Sequence, residues 1–456
     1  APGLAPPGAA AQSAAGLNMI YHGHKVLAAL FLAGFMVYGG GLYSFVLFVP
    51  PLTQEFHWSR AATSGLVTAF WLSAPMILLG GLAIKRVGAL RLLLVGIAIE
   101  ALCVGLLPTL SSFGEMYLLR AAMGFGKVMF AVTLPYVISR WYVRHYSLGL
   151  GIAWAGWHVG GLVLAPLTGL IIANYGWRPA CLAIAAGLLS VGLIPVLLTQ
   201  RYQSPAQVGL ALDGDPLPAP RGDPGGPAAG AAAPGAAVAG AVDEAPAGAL
   251  GDLLRSPMFW IVALVTLFFY SAYGGLLTQE AAVVEGAGFS PRLSSLVLGS
   301  TAGFAAVGGL GFGWILDRYS IRAAGVAIHV LLLAGAASLL IVARNHSAAA
   351  LVSYAVCFGI TIGAGDVYFV AVLRRRFPKV SVAYSYSAWY FCEILTLLIA
   401  GPAAGRVFDL TGNYHATLAL LAGSAGLALL LSIFVWRRPG LERRPASVLS
   451  PADEPV

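Results

Sequence analysis

Gly313-Trp314-Ile315-Leu316-Asp317-Arg318-Tyr319-Ser320-Ile321-Arg322 has a counterpart in Gly81-Leu82-Ala83-Ile84-Lys85-Arg86-Val87-Gly88-Ala89-Leu90-Arg91, 232 residues earlier. Each stretch is a short, glycine-led basic turn between two long apolar runs. Pro166 and Pro402, each inside an apolar run, repeat at nearly the same offset, 236 residues. A chain that repeats itself at this spacing consists of two related halves. Between the repeats, residues 200–256 break the apolar pattern, and from Ala211 to Leu250 they are dominated by Ala, Gly and Pro. Such a composition cannot bury a core, so this stretch is expected to be a flexible linker dividing the halves.

The apolar runs are long enough to cross a bilayer. Of 456 residues, 59% are hydrophobic and 10% charged, with a mean hydropathy of +0.83; soluble chains carry about 25% charged residues. A spanning helix needs about 20 apolar residues. Twelve such stretches fall at 25–49, 61–84, 89–109, 114–139, 147–173, 177–199, 257–279, 293–316, 321–343, 347–373, 381–405 and 415–436. The expected fold is an all-α membrane protein with twelve transmembrane helices in two pseudo-symmetric six-helix bundles. The boundaries are a leader at 1–24, bundles at 25–199 and 257–436, the linker at 200–256 and a tail at 437–456. Such inverted or parallel duplication is the mark of secondary transporters, whose halves rock around a midplane site.

Charge sets the topology. With the N-terminus in the cytoplasm, 19 of the 26 Lys and Arg residues fall in cytoplasmic segments and five on the other side, leaving Arg120 and Lys127 inside the fourth span. The positive-inside rule then places both termini in the cytoplasm. The formal charge of +8 is therefore topological and implies no nucleic acid. Ala/Gly/Pro/Arg-rich usage points to a bacterial inner membrane. The first 18 residues lack the basic and apolar regions of a signal peptide, and Met19 is a candidate start. Cys103, Cys181, Cys357 and Cys392 all sit in apolar spans without metal-ligand spacing, and are read as small core residues. No GxSxG, HExxH, P-loop or CxxC constellation occurs, so neither an enzyme nor a nucleotide-driven pump is expected, and no cofactor or metal.

The turn at 313–322 resembles the loop signature of the major facilitator superfamily, as Arg120-x-x-x-Gly124-x-Gly126 resembles its helix 4 signature. Gly160-Gly161 to Pro166 and Gly401-Pro402-Ala403-Ala404-Gly405 resemble its Gly/Pro signatures in helices 5 and 11. Within the superfamily, Phe56-His57-Trp58-Ser59-Arg60, Ser139-Arg140-Trp141-Tyr142, Tyr175-Gly176-Trp177-Arg178 and Phe408-Asp409-Leu410-Thr411-Gly412-Asn413-Tyr414 look like segments of bacterial relatives of the monocarboxylate transporters. Two positions depart from the pattern. Lys85 stands where the first-half signature has Asp, and Gly309 stands where monocarboxylate-type relatives carry an Arg implied to bind the carboxylate.

Charged residues inside spans cost about 2.5–3.5 kcal/mol each on insertion scales and are functional candidates by default. Here they are Glu100, Arg120, Lys127, Asp366 and Glu393. Lys127 lies seven residues after Arg120, on about the same helix face, and near the midplane. The resemblance puts helix 4 on the cavity, so Lys127 is the candidate counter-ion replacing the Arg absent at Gly309; the plainer alternative is a structural ion pair with Asp366 or Glu393. Desolvation favours the neutral form of a carboxyl group, which makes Asp366 the first candidate for proton coupling. Its alternative is a salt bridge to Arg374–Arg376 or to Lys127. Glu393 shares a face with Tyr386, Trp389 and Tyr390, either as a cavity wall or as a helix-packing seam, and is the second coupling candidate. Arg120 matches the family's helix 4 Arg, which implies a part in coupling, against structural pairing with Glu115 or Glu100. Tyr38, Tyr43, Tyr270 and Tyr273 offer hydroxyls from cavity helices, and His158 sits among the tryptophans of helix 5. Asp317, Arg318 and Arg322 are read as a gating loop.

The substrate-binding set is therefore Lys127, Tyr38, Tyr273, Tyr390 and Trp389, with Asp366, Glu393 and Arg120 for coupling. The expected activity is proton-coupled symport of a small organic anion of monocarboxylate type by a monomer embedded in the lipid bilayer. Proton-driven efflux of lipophilic or cationic compounds is the alternative, and a receptor or enzyme is the reading from another class.

Overall fold

A long apolar run can cross a bilayer only with every backbone group bonded within it, and this chain does so repeatedly. The computed structural model describes residues 21–58, 65–66, 69–199, 201–216, 249–378 and 380–435. In chain order its helices are α1 His22–Phe56, α2 Gly80–Val87, α3 Ala89–Thr109, α4 Phe113–Ser139, α5 Tyr146–Tyr175 and α6 Trp177–Thr199. After the linker come α7 Pro257–Gly286, α8 Pro291–Arg318, α9 Ile321–Asn345, α10 Ala348–Arg376, α11 Val382–Thr411 and α12 Tyr414–Val435. Eleven of these are long and apolar enough to span a membrane. The expected second span, 61–84, is represented by a 3-10 turn at Ala74–Leu79 that runs into α2; residues 59–64 and 67–68 of that region lie outside the described residues. So do residues 1–20 of the leader, 217–248 of the linker and the tail from 436. The all-helical membrane architecture expected from the sequence is borne out.

Local chemistry explains where the helices stop. Ser290, Ser320, Ser347 and Ser381 cap α8 to α11, each side-chain oxygen accepting a backbone N–H near the helix start. Gly88 at φ 90° turns the chain sharply between α2 and α3, a conformation that costs glycine nothing. The exterior is apolar: Leu118 and Leu410 are each 70% exposed. The charges go inward, with Glu100, Arg120 and Lys127 at most 1% exposed. Apolar outside and charged inside is the pattern of a protein solvated by lipid.

Small residues let the helices touch. At Gly39 in α1 an added Cβ would collide with the backbone of Gly160 in α5, and at Gly151 in α5 with the carbonyl of Gly309 in α8. This is how membrane helices gain van der Waals contact where lipid removes any hydrophobic drive. The halves meet through α5 against α8 and through α11 against α2 and α4. These contacts gather on the face that bears the linker. The Asp317 carboxylate accepts the backbone N–H groups of Ser147 and Leu148 at 2.9 and 2.8 Å, and the Arg374 guanidinium lies 4.2 Å from the Tyr146 ring centre. The first residues of the linker fold onto the same face, where Asp213 accepts the backbone N–H groups of Val143, Arg144 and His145 and Arg144 pairs with Asp215 at 2.7 Å.

Candidate substrate site between the halves

α1 is not a uniform helix. At Gly39–Tyr43 it widens into a π turn, a bulge that frees backbone groups and is common at functional sites. The freed carbonyl of Gly41 accepts Arg120 Nη1 at 3.0 Å, while Arg120 Nε donates to Leu66 O at 3.2 Å. Phe45, one turn on, places its ring centre 3.5 Å from the guanidinium carbon. Arg120 is thus bound to main chain and aromatic faces, with Nη2 unpartnered. Glu100 on α3 is the acidic side chain that acts most strongly on it; both carboxylate oxygens of Glu100 are buried without hydrogen-bond partners, against Gly41. No ion pair joins Arg120 to Glu100 or Glu115 among the described residues.

Two turns along α4, Lys127 points at the boundary between the halves. Its ammonium lies 3.9 Å from the Trp71 ring centre, 5.4 Å from Tyr390, 5.7 Å from Phe70 and 5.8 Å from Tyr38. Such contacts are each worth about 0.5–2 kcal/mol when desolvated, and together they hold a cation where a Lys alone would be costly. Among the described residues no carboxylate lies within ion-pairing distance of Lys127. Glu393 on α11 is the largest attractive charge acting on it. One oxygen of Glu393 is buried without a partner, and its other charged neighbour is Asp366.

Asp366 on α10 accepts a hydrogen bond from the Tyr270 hydroxyl of α7. The alternative of a salt bridge to the α10 arginines is not what forms: Arg374 covers Tyr146, Arg375 donates to Leu316 O at 3.0 Å and Arg376 to Val435 O. Tyr270 in turn faces Tyr273 at 5.4 Å and Trp389 at 6.1 Å between ring centres. Tyr38 and Tyr390 bring their hydroxyls to 3.4 Å across the halves; Tyr38 stacks on Trp157 at 3.8 Å and Tyr390 on Tyr386 at 5.2 Å.

The sequence-derived set therefore divides. Lys127, Tyr38, Tyr390 and Glu393 converge on one locus, and Tyr270, Tyr273 and Asp366 adjoin it from the second half. Trp389 braces α11 to α7, donating to Thr266 Oγ1 at 2.9 Å while its ring stacks on Phe369. Arg120 stays within the first half, with Glu100. Asp317 binds the start of α5, Arg318 lies over the Trp314 ring at 4.8 Å, and Arg322 is exposed at the start of α9. Gly309 packs 3.4–3.5 Å, measured from an added Cβ, from the carbonyls of Gly363 and Gly151.

The Major Facilitator Superfamily family matches residues 30–371, three quarters of the chain. The chain belongs to that superfamily. Its members found by similarity include monocarboxylate transporter 12 of Mus musculus, 22% identical over 63% of this chain, and monocarboxylate transporter 13 of Bos taurus, 25% identical over 66%. The alignments span 59% and 64% of those two proteins. Monocarboxylate transporter 13 of Rattus norvegicus is 24% identical over 90% of both chains. The fucose:proton symporter FucP of E. coli matches in fold, with a TM-score of 0.66, 14% identity, and coverage of 91% of this chain and 98% of that one; FucP in the outward conformation gives the same score. The chain is a multi-pass membrane protein of that superfamily.

Sequence reading of this chain missed Trp71, the aromatic nearest to Lys127. With 11% aromatic residues no single tryptophan stands out, and the turn before α2 that delivers it has no periodic signature.

Proposed function

We propose that this transporter moves a small organic anion of monocarboxylate type together with a proton, by alternating access, across a bacterial cytoplasmic membrane with both termini inside. The observation that carries the reading is Lys127: a buried cation held by aromatic faces, with no carboxylate ion-paired to it among the described residues. A charge so held retains the capacity to bind a substrate carboxylate, and buried charge-assisted bonds are strong. The aromatic rings beside it suit a short apolar moiety. Asp366 and Glu393, close enough to interact, supply the proton site as a pair. Protonation removes one negative charge from the locus as the substrate brings one in, so the loaded carrier reorients with little net change of charge at the site. Halves closed on the linker face leave the site to be reached from the opposite side, and Asp317 is the latch on the closed side, with Arg318 and Arg322 flanking it in the same loop.

Efflux of a lipophilic cation is a second reading, favoured by the unpartnered oxygen of Glu393 against the aromatic wall. Uptake of labelled lactate by proteoliposomes separates the two. Accumulation that grows with an acid-outside gradient and collapses with an uncoupler supports anion symport. Absence of lactate uptake, with proton release on adding a lipophilic cation, replaces it with the second reading.

A further inference from the structure

The repeated turn places Lys85 and Asp317 at equivalent positions in the two halves. In the second half the Asp317 carboxylate reaches across the boundary and closes that corner against the start of α5. At the related corner the end of α2 faces the start of α11, and a cation stands in place of the carboxylate. What results there is a cavity of about 750 Å³ on the linker face, lined by both halves. Lys85, Arg86 and Arg91 bring three exposed positive charges to it, beside Arg140, whose guanidinium donates to Gln203 O and to the Tyr136 hydroxyl; Ser381 and Tyr384 contribute hydroxyls from the second half, and no acidic side chain among the described residues lines it. Lys85, Arg86 and Arg91 are exposed, and none is in an ion pair with a described residue. Three like charges around one cavity repel one another unless something negative enters.

We infer that this cavity is a binding site for a phosphate-bearing anion, which bridges the halves where Asp317 bridges them at the other corner. A phosphate offers several acceptor oxygens and a multiple negative charge to cations that approach from α2 and α3. Basic pockets between transmembrane helices on this side of a membrane suit anionic lipid headgroups, and soluble phosphate shares the chemistry. The inference is independent of the transported substrate, because the cavity lies at the linker face and not at Lys127.

The test uses the full chain in a zwitterionic detergent, with its thermal midpoint followed while phosphatidylglycerol or inorganic phosphate is titrated against sodium chloride of equal ionic strength. The wild type is expected to show a saturable rise. Lys85→Gln combined with Arg86→Gln should weaken the apparent affinity roughly tenfold or more, Lys85→Arg should retain it, and Arg255→Gln, a charge on the same face outside the cavity, should leave it unchanged. A response to lipid alone assigns the site to a headgroup, and an equal response to phosphate assigns it to a soluble anion. No saturable response to either, or the same response in the double variant as in the wild type, overturns the inference.

Discussion

Lys127 and Asp366 carry different parts of the proposed cycle, and their partners indicate how to separate them. Lys127 is surrounded by Trp71, Tyr390, Phe70 and Tyr38, so Lys127→Gln leaves the packing largely in place and removes the charge. Losing a hydrogen bond to a charged group costs about 1.5–3 kcal/mol. The apparent KM for lactate in proteoliposome uptake should accordingly rise roughly 10- to 100-fold, and unchanged KM would exclude Lys127 as the counter-ion. Asp366→Asn keeps the shape and can still accept the Tyr270 hydroxyl, but it cannot exchange a proton. The expected result is loss of gradient-driven accumulation with lactate exchange at equal pH retained; a variant that still concentrates lactate transfers the coupling role to Glu393. Both residues were legible in the sequence because a charge inside an apolar span is conspicuous. Their partners were not: nothing in the order of residues says that Lys127 meets aromatic rings in place of a carboxylate, since Trp71 comes from the turn before α2 and Tyr390 from α11 in the other half.

At the scale of the helices, α8 explains the absent arginine. Gly309 faces the backbone of both α5 and α10, with an added Cβ already at 3.4–3.5 Å from their carbonyls. That distance is ordinary van der Waals contact, and the close approach of the three helices comes from Gly151 and Gly363, where an added Cβ would collide with the α8 backbone at Gly309 and Ala305; a long side chain at Gly309 therefore enters a closely packed three-helix junction. Gly309→Arg should therefore fail to restore anion affinity to Lys127→Gln and should itself lower the thermal midpoint by several degrees, since overpacking a tight contact typically costs about 1–3 kcal/mol. A Gly309→Arg protein as stable as the wild type, with tighter lactate binding, would contradict this account. Gly39–Tyr43 in α1 shows the same logic inverted. There the helix loosens, and the backbone carbonyl of Gly41 it frees is taken by Arg120. The glycines were visible in the sequence, but the bulge was not, because it depends on Gly160 of α5 and on the reach of Arg120.

Across the whole molecule, alternating access needs two arrangements of the halves close in energy, so the contacts between them must be strong enough to close a face and weak enough to release it. Asp317 supplies two charge-assisted bonds across the closed face. Asp317→Asn retains one acceptor oxygen and loses the charge, a change of about 1–2 kcal/mol. Labelling of a cysteine at Ser385, buried under that face, by a membrane-impermeant maleimide should become several-fold faster in a background lacking the four native cysteines; an unchanged rate would remove Asp317 from the latch. The sequence by itself determined the membrane class, eleven of the helical spans, the duplication into halves and most of the costly intramembrane charges, though not Glu280, which is 1% exposed on α7. Those follow from local properties, namely the length of apolar runs, the repeat of a motif and the price of burying a charge in lipid. Only the tertiary structure decided which charge meets which group: Lys127 with an aromatic cage, Asp366 with Tyr270, Arg120 with backbone, and Asp317 with α5. Helices that each satisfy their own backbone can rotate and slide relative to one another in a bilayer. Their partners are therefore fixed by packing across the bundle, where small residues allow contact, and that is information a linear order of residues does not contain.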